Sequence, residues 1–158
     1  MSIEESEALI NRYTEVCGNH CEPFIVIKKL IDLSFDWDDK SLSELIFENT
    51  KELGCISCEW HSMDDDEGKE LLESVLGESL MLEYPPFGKS SKSDLADFLS
   101  KLYELVGAGQ FLSNTISYGK GSRSYGQLFP ESERYELDVG VAIVTNEWFV
   151  FIGHRGVD

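Results

Sequence analysis

Residues 135–152 read Tyr-Glu-Leu-Asp-Val-Gly-Val-Ala-Ile-Val-Thr-Asn-Glu-Trp-Phe-Val-Phe-Ile, and they are the most informative segment of the chain. The runs 135–144 and 148–152 are rich in β-branched and aromatic residues, which favours β-strands. The three polar residues between them, Thr145, Asn146 and Glu147, suit a hairpin turn. The segment therefore predicts two antiparallel strands joined by a short turn.

The region before this segment is dominated by helical patterns. Ser2 and Glu5 have the spacing of a capping box, and so do Ser41 and Glu44. Apolar residues at helical spacing then predict five helices, over residues 2–18, from 23 to about 31, and over 41–54, 64–77 and 93–106. Pro23 suits a first helical position, although the β-branched run at 25–27 leaves a strand open there.

Shorter β patterns complete the prediction. They cover residues 56–60, 80–84 and 111–118, and a Gly/Ser loop follows at 119–124. Helices early in the chain and strands late in it indicate an α+β fold. We predict one domain over residues 1–158, with about five helices on one face of a mainly antiparallel sheet formed largely by the C-terminal third.

The chain is strongly acidic. Its 158 residues hold 30 Asp and Glu against 13 Lys and Arg, for a formal net charge of -17. Residues 1–90 carry 21 of the acidic and 7 of the basic side chains, so the acidity belongs mainly to the first half. A nucleic-acid binder needs the opposite sign, so we expect no direct binding of DNA or RNA. The negative electrostatic field of so acidic a chain favours association with a basic macromolecule.

Targeting signals are not recognisable in the sequence. The first residues, MSIEESEALINRY, are acidic and amphipathic and lack the basic and apolar regions of a signal peptide. No apolar run approaches the roughly 20 residues that span a bilayer. We therefore expect a cytoplasmic protein that does not bind membranes, with its four cysteines reduced.

The cysteines allow a metal-site hypothesis. Cys17 and Cys21 form one close pair, and Cys55 and Cys58 form a second, which is the ligand pairing of structural zinc sites. Core packing explains the same four residues without a metal, because free cysteine behaves as a small hydrophobic residue. We predict no cofactor, and a zinc-stabilised adaptor protein is the alternative function.

Catalytic signatures are weak. His20 and His61 lie near cysteines, and His154 precedes Arg155, but none has a recognisable nucleophile partner. An acidic environment also raises the pKa of a thiol, which opposes a catalytic cysteine. We therefore predict that the chain is not an enzyme, and an enzyme with an unrecognised site at His20, His61 or His154 is a third hypothesis.

Two acidic clusters are candidates for partner binding. One contains Asp36, Trp37, Asp38 and Asp39, and the other contains Asp64, Asp65 and Asp66. Neither matches a calcium loop, and carboxylates at a helix start are stabilised by the helix dipole. Trp37 is either an interface anchor or a hydrophobic staple of the following helix. We predict that these seven residues bind a partner protein.

Size, charge and the weak catalytic signatures together favour one class of function. We predict an acidic protein-binding module that neutralises a basic partner protein, as an immunity protein or toxin inhibitor does for a nuclease-type toxin. Its carboxylates would cover the cationic site of the partner, and aromatic residues would supply the buried centre of the interface. This prediction is an analogy of class, drawn from charge and size.

Overall fold

The computed structural model describes residues 21–30, 38–55, 57–77, 92–117, 123–125 and 135–157, together with Glu4 and Ala8. The described helices are α1 (Asp39–Thr50), α2 (Asp65–Gly77) and α3 (Lys92–Val106), and a 3-10 turn (Lys51–Leu53) extends α1. The described strands are β1 (Cys21–Lys29), β2 (His61–Met63), β3 (Gln110–Ser113), β4 (Thr115–Ser117), β5 (Arg123–Tyr125), β6 (Tyr135–Val144) and β7 (Trp148–Val157).

Five strands form an antiparallel sheet in the order β1-β7-β6-β3-β2, and β4 pairs with β5 in a separate two-stranded sheet. The predicted hairpin is confirmed, because β6 and β7 pair with each other. The pairing starts next to the turn, where Val144 lies opposite Phe149, and extends to Tyr135, which lies opposite Val157. Thr145 holds the turn: its N–H donates to the Trp148 carbonyl at 2.9 Å, and its Oγ1 accepts from Trp148 N–H at 2.8 Å. The hairpin is the centre of the five-stranded sheet.

Helices cover both faces of this sheet, so the prediction of helices on one face is wrong. Leu42 and Ile46 of α1 pack in the same cluster as Ala142 and Phe151. On the opposite face, side chains of α2 and α3 pack with alternate sheet residues, namely Val141, Ile143, Val150 and Ile152. Residues 141–144 and 149–152 are consequently buried at every position. An uninterrupted apolar run is the pattern of a strand covered on both sides.

The α+β class is confirmed, but the count of about five helices is not supported. The second predicted helix is wrong, because residues 21–29 form β1, which pairs with β7 along its whole length. The open alternative, a strand at Ile25, Val26 and Ile27, is correct. Most of the first predicted helix lies outside the described residues, although Glu4 and Ala8 are helical.

The other three helices are confirmed with changes at their ends. α1 begins at Asp39, and its N-cap is Asp38 instead of the predicted Ser41. Gly54 ends the 3-10 turn in the left-handed conformation, with φ 95°, as its position after the helix predicted. α2 and α3 match the predicted helices to within one residue at either end.

The short strands are predicted less well. Residues 57–60 are not in a strand, and β2 begins at His61. The described part of the strand predicted at 111–118 divides into β3 and β4, which belong to different sheets. The strand predicted at 80–84 lies outside the described residues, as do residues 119–122 of the predicted loop. Arg123 and Ser124, the end of that predicted loop, belong instead to β5.

None of the helices in the described ranges is both long enough and apolar enough to cross a membrane.

Candidate protein-binding site

The fold brings the two predicted acidic clusters together at the β2 edge of the sheet. Asp38 and Asp39 lie at the start of α1, and both oxygens of the Asp39 carboxylate accept hydrogen bonds from Ser62, one from its hydroxyl and one from its N–H. Asp64 is two residues beyond Ser62, so its Cα lies within about 7 Å of the Ser62 Cα. We name the five described aspartates of these clusters the acidic edge: Asp38, Asp39, Asp64, Asp65 and Asp66.

Asp38 is held in place as the N-cap of α1. Its Oδ1 accepts from the Ser41 N–H at 2.8 Å, which satisfies one of the free donors at the helix start. The Ser41 backbone N–H lowers the pKa of the Asp38 carboxyl, and nearby Lys40 lowers it further. Asp38 is therefore an exposed carboxylate that is ionised at neutral pH.

Asp39 links α1 to β2. Within the described part of the chain, β2 is the last strand of the sheet, and Ser62 directs its N–H away from β3, towards the Asp39 carboxylate. A second contact follows one turn along α1, where Ser43 Oγ accepts from the Trp60 N–H at 3.2 Å. The Asp39 contact occupies a backbone donor of the edge strand, where a free donor invites unwanted pairing.

Asp64 caps α2 in the same way. Its Oδ1 accepts from the Glu67 N–H at 2.8 Å, and its carbonyl accepts from the Gly68 N–H at 2.9 Å. Asp65 pairs with Lys69 at 2.9 Å. Lys69 also lies 5.0 Å from the centroid of the Tyr103 ring. The Lys69 ammonium therefore contacts both Asp65 at the start of α2 and the aromatic ring of Tyr103 in α3.

The acidity continues along α2 beyond the predicted residues. Asp66, Glu67, Glu70 and Glu73 are exposed, and Lys69 is the one basic residue of the helix. Glu70 and Glu73 were not predicted as part of the site, because they are separated in sequence from the run of consecutive acids at 64–67. The signal was the spacing of Asp66, Glu70 and Glu73, which repeats at helical intervals and so places them on one side of the helix.

Asp36 and Trp37 lie outside the described residues, so the first cluster is described only at Asp38 and Asp39.

Comparisons of the chain with models of protein families, with curated proteins and with solved structures find no match.

The cysteines are separated by the sheet. Cys21 begins β1 at one edge, whereas Cys55 and Cys58 lie in the segment that leads into β2 at the other edge. Both Cys55 and Cys58 pack in the core on the α1 face, and Cys17 lies outside the described residues. Within the described ranges, no group of three or more His, Cys, Asp or Glu residues is placed to hold a metal ion.

The pKa of the Cys58 thiol is raised to about 11 by burial, and the neighbouring Cys55 adds to the rise. We expect Cys58 to be alkylated by iodoacetamide at pH 8 about 100-fold more slowly in the native protein than in the unfolded chain, because only the thiolate reacts. Mass spectrometry of the peptide containing Cys58, after timed alkylation with and without urea, measures the ratio. Equal rates in the two states would contradict the raised pKa.

The described histidines do not share a site. His61 is half-buried in β2, and His154 is in β7, with β3 and β6 between these strands. Three strand spacings separate them by about 14 Å across the sheet. His20 lies outside the described residues. The acidic edge is therefore the constellation of predicted residues that the described fold draws together.

Proposed function

We propose that this protein is an acidic binding module that neutralises a basic partner protein, in the manner of an immunity or inhibitor protein for a nuclease-type toxin. It acts in the cytoplasm, by covering the cationic site of the partner instead of by catalysis. The observation that carries the proposal is the Asp39–Ser62 contact, which joins two clusters 25 residues apart in sequence into one acidic edge.

The capping contacts support this proposal. Asp38 and Asp64 each accept a backbone N–H of a helix start through Oδ1, and these two hydrogen bonds do not involve the Oδ2 of either carboxylate. A capped carboxylate has little conformational freedom left to lose when it meets a cation, which lowers the entropic cost of binding. The acidic edge thus has the fixed negative charges that suit the guanidinium and ammonium groups of a nucleic-acid-binding site.

The charge of the whole chain supports it too. Complementary charge acts mainly on the association rate, which it raises by roughly 10–10³ and which falls steeply with added salt. A nuclease inhibitor benefits from this kinetic effect, because it must reach the enzyme before the nucleic acid does. The net charge of -17 provides the long-range attraction for a basic partner, and the acidic edge concentrates negative charge at the proposed binding site.

We expect Asp→Asn changes at all five positions of the acidic edge to slow association with the partner by at least about tenfold at low salt, while dissociation changes much less. Asparagine also caps helices, so the α1 and α2 starts keep their hydrogen bonds. Affinity capture on the immobilised chain with salt elution yields the partner, and surface plasmon resonance at two ionic strengths then measures both rates.

The control is a variant with the same change of charge elsewhere. Glu→Gln at Glu44, Glu48, Glu52 and Glu104 with Asp97→Asn removes five exposed carboxylates outside the acidic edge. It should slow association much less than the five Asp→Asn changes do. Equal slowing by both variants would show that only the net charge matters, and an association rate insensitive to salt and to both variants would overturn the proposed function.

A further inference from the structure

The edge of the sheet opposite the acidic edge is formed by β1. This strand is nine residues long and pairs with β7 on one side, and no strand of the described residues pairs with its other side. Lys28 and Lys29 at its end are exposed, and neither forms an ion pair with a described residue. Among the described residues, β1 therefore presents a long open edge with two unpaired cations, in a chain of net charge -17.

The hydrogen bonds of β1 show which backbone groups face outward. Leu30 continues the register of β1 opposite Glu147, and its N–H donates to the Glu147 carbonyl at 2.6 Å. Antiparallel ladders alternate, so residues 28, 26, 24 and 22 bond to β7, and residues 29, 27, 25, 23 and 21 direct their backbone groups to the open side. Pro23, which has no N–H, occupies one of these outward positions, where a proline is tolerated.

The sequence of β1 is complementary to itself in charge. In Cys21-Glu-Pro-Phe-Ile-Val-Ile-Lys-Lys29, Glu22 and Lys28 are equidistant from Ile25. When two copies of the strand pair antiparallel about Ile25, Glu22 of each copy therefore lies opposite Lys28 of the other. Directly opposite residues of unlike charge stabilise a strand pair, and like charges destabilise it.

We propose that two copies of this protein associate through β1, edge to edge about a two-fold axis at Ile25, to form one continuous antiparallel sheet. Ile25 of each copy exchanges both backbone hydrogen bonds with Ile25 of the other, because its N–H and carbonyl face outward. Ile27 N–H donates to the Pro23 carbonyl of the other copy, and the missing Pro23 N–H costs one hydrogen bond on each side. The interface is of the isologous, closed type of most dimers.

Charge favours a second copy over other occupants of this edge. The occupant must offer a carboxylate opposite Lys28 and a cation opposite Glu22, and β1 itself offers both. In each copy the acidic edge lies at β2, at the end of the sheet farthest from β1. Pairing through β1 therefore does not bring the two acidic edges close to each other. Each dimer then exposes two acidic edges. A strand-edge interface is small, so we expect association in the micromolar range.

Sedimentation equilibrium of the purified chain, from about 1 to 300 µM, tests the proposal. We expect reversible dimerisation, weakened about tenfold by Lys28→Glu and restored to within about threefold of wild type when Glu22→Lys is added to Lys28→Glu. Lys40→Glu makes the same change of charge at an exposed site on α1 and should leave the dimer as in the wild type. Ile25→Pro removes an outward N–H and should abolish dimerisation, with thermal melts showing whether it remains folded.

A chain that stays monomeric over this range overturns the proposal. So does a dimer that Lys28→Glu leaves intact, that Lys40→Glu weakens as much, or that the double variant fails to restore. The charge variants keep the proposal testable if Ile25→Pro does not fold. No partner protein is present in this experiment, so its failure would leave the proposed function of the acidic edge to its own test.

Discussion

Replacing Gly68 by alanine is expected to destabilise the protein by about 1–3 kcal/mol, although alanine normally favours a helix over glycine by about 1 kcal/mol. A Cβ on Gly68 would overlap Phe111 Cγ and would lie 2.5 Å from Phe111 Cβ. The Phe111 ring is 2% exposed and packs edge-on against Tyr103 at 6.4 Å, so the ring cannot simply swing away. At Gly68, α2 thus lies too close to Phe111 of β3 to leave room for a side chain.

Urea unfolding of wild type and Gly68→Ala measures this loss, read as a lower midpoint at an unchanged slope. Glu70→Ala, on the exposed side of the same helix, is the control and should change the free energy of unfolding by no more than about 0.5 kcal/mol. Phe111→Ala should reduce the cost of Gly68→Ala when the two are combined, because it removes Phe111 Cγ, the atom nearest to the added Cβ. A Gly68→Ala protein as stable as wild type would contradict the close approach of α2 to β3.

Replacing Trp60 by alanine is expected to have the largest effect of all, a loss of about 3–5 kcal/mol. Trp60 is 2% exposed and meets the Phe151 ring edge-on, with centroids 5.9 Å apart. It also covers Gly140, where an added Cβ would lie 3.1 Å from the Trp60 ring and 2.7 Å from that of Phe151. Losing the indole would leave a cavity between α1 and the sheet.

Thermal and urea unfolding of Trp60→Ala give the size of the loss, and Glu59→Ala at the exposed neighbouring position is the control. Trp60→Phe should recover a large part of the stability, because it refills much of the same space with an apolar ring. Should Trp60→Ala cost no more than Glu59→Ala, the packing of Trp60 between α1 and the sheet would be wrong.

Much of the fold was predictable from local patterns. The hairpin of β6 and β7, the three described helices and the stop at Gly54 all rest on signals within a few residues of one another: β-branched runs, helical apolar spacing and a glycine with positive φ. The exposure of Asp64, Asp65 and Asp66 was also predictable, because consecutive acids at a helix start are stabilised by solvent and by the helix dipole.

Other features depended on contacts between distant residues. Residues 21–29 have an ambiguous pattern, and they form a strand because β7 offers each of them a pairing partner. Two helical layers on opposite faces of one sheet were not predicted, because burial on the second face depends on where α1 packs. Helix periodicity identifies the apolar side of a helix but does not indicate which face of a sheet will receive it.

The acidic edge shows the same division. The two clusters, their charge and their places at helix starts follow from the sequence of residues 36–39 and 64–66. Their meeting depends on Asp39 reaching Ser62 across 23 residues, and that contact exists only once β2 has paired with β3 and α1 has packed on the sheet. Local propensity acts over a few residues, whereas a site assembled from two helix starts is created by the packing that brings them to one edge.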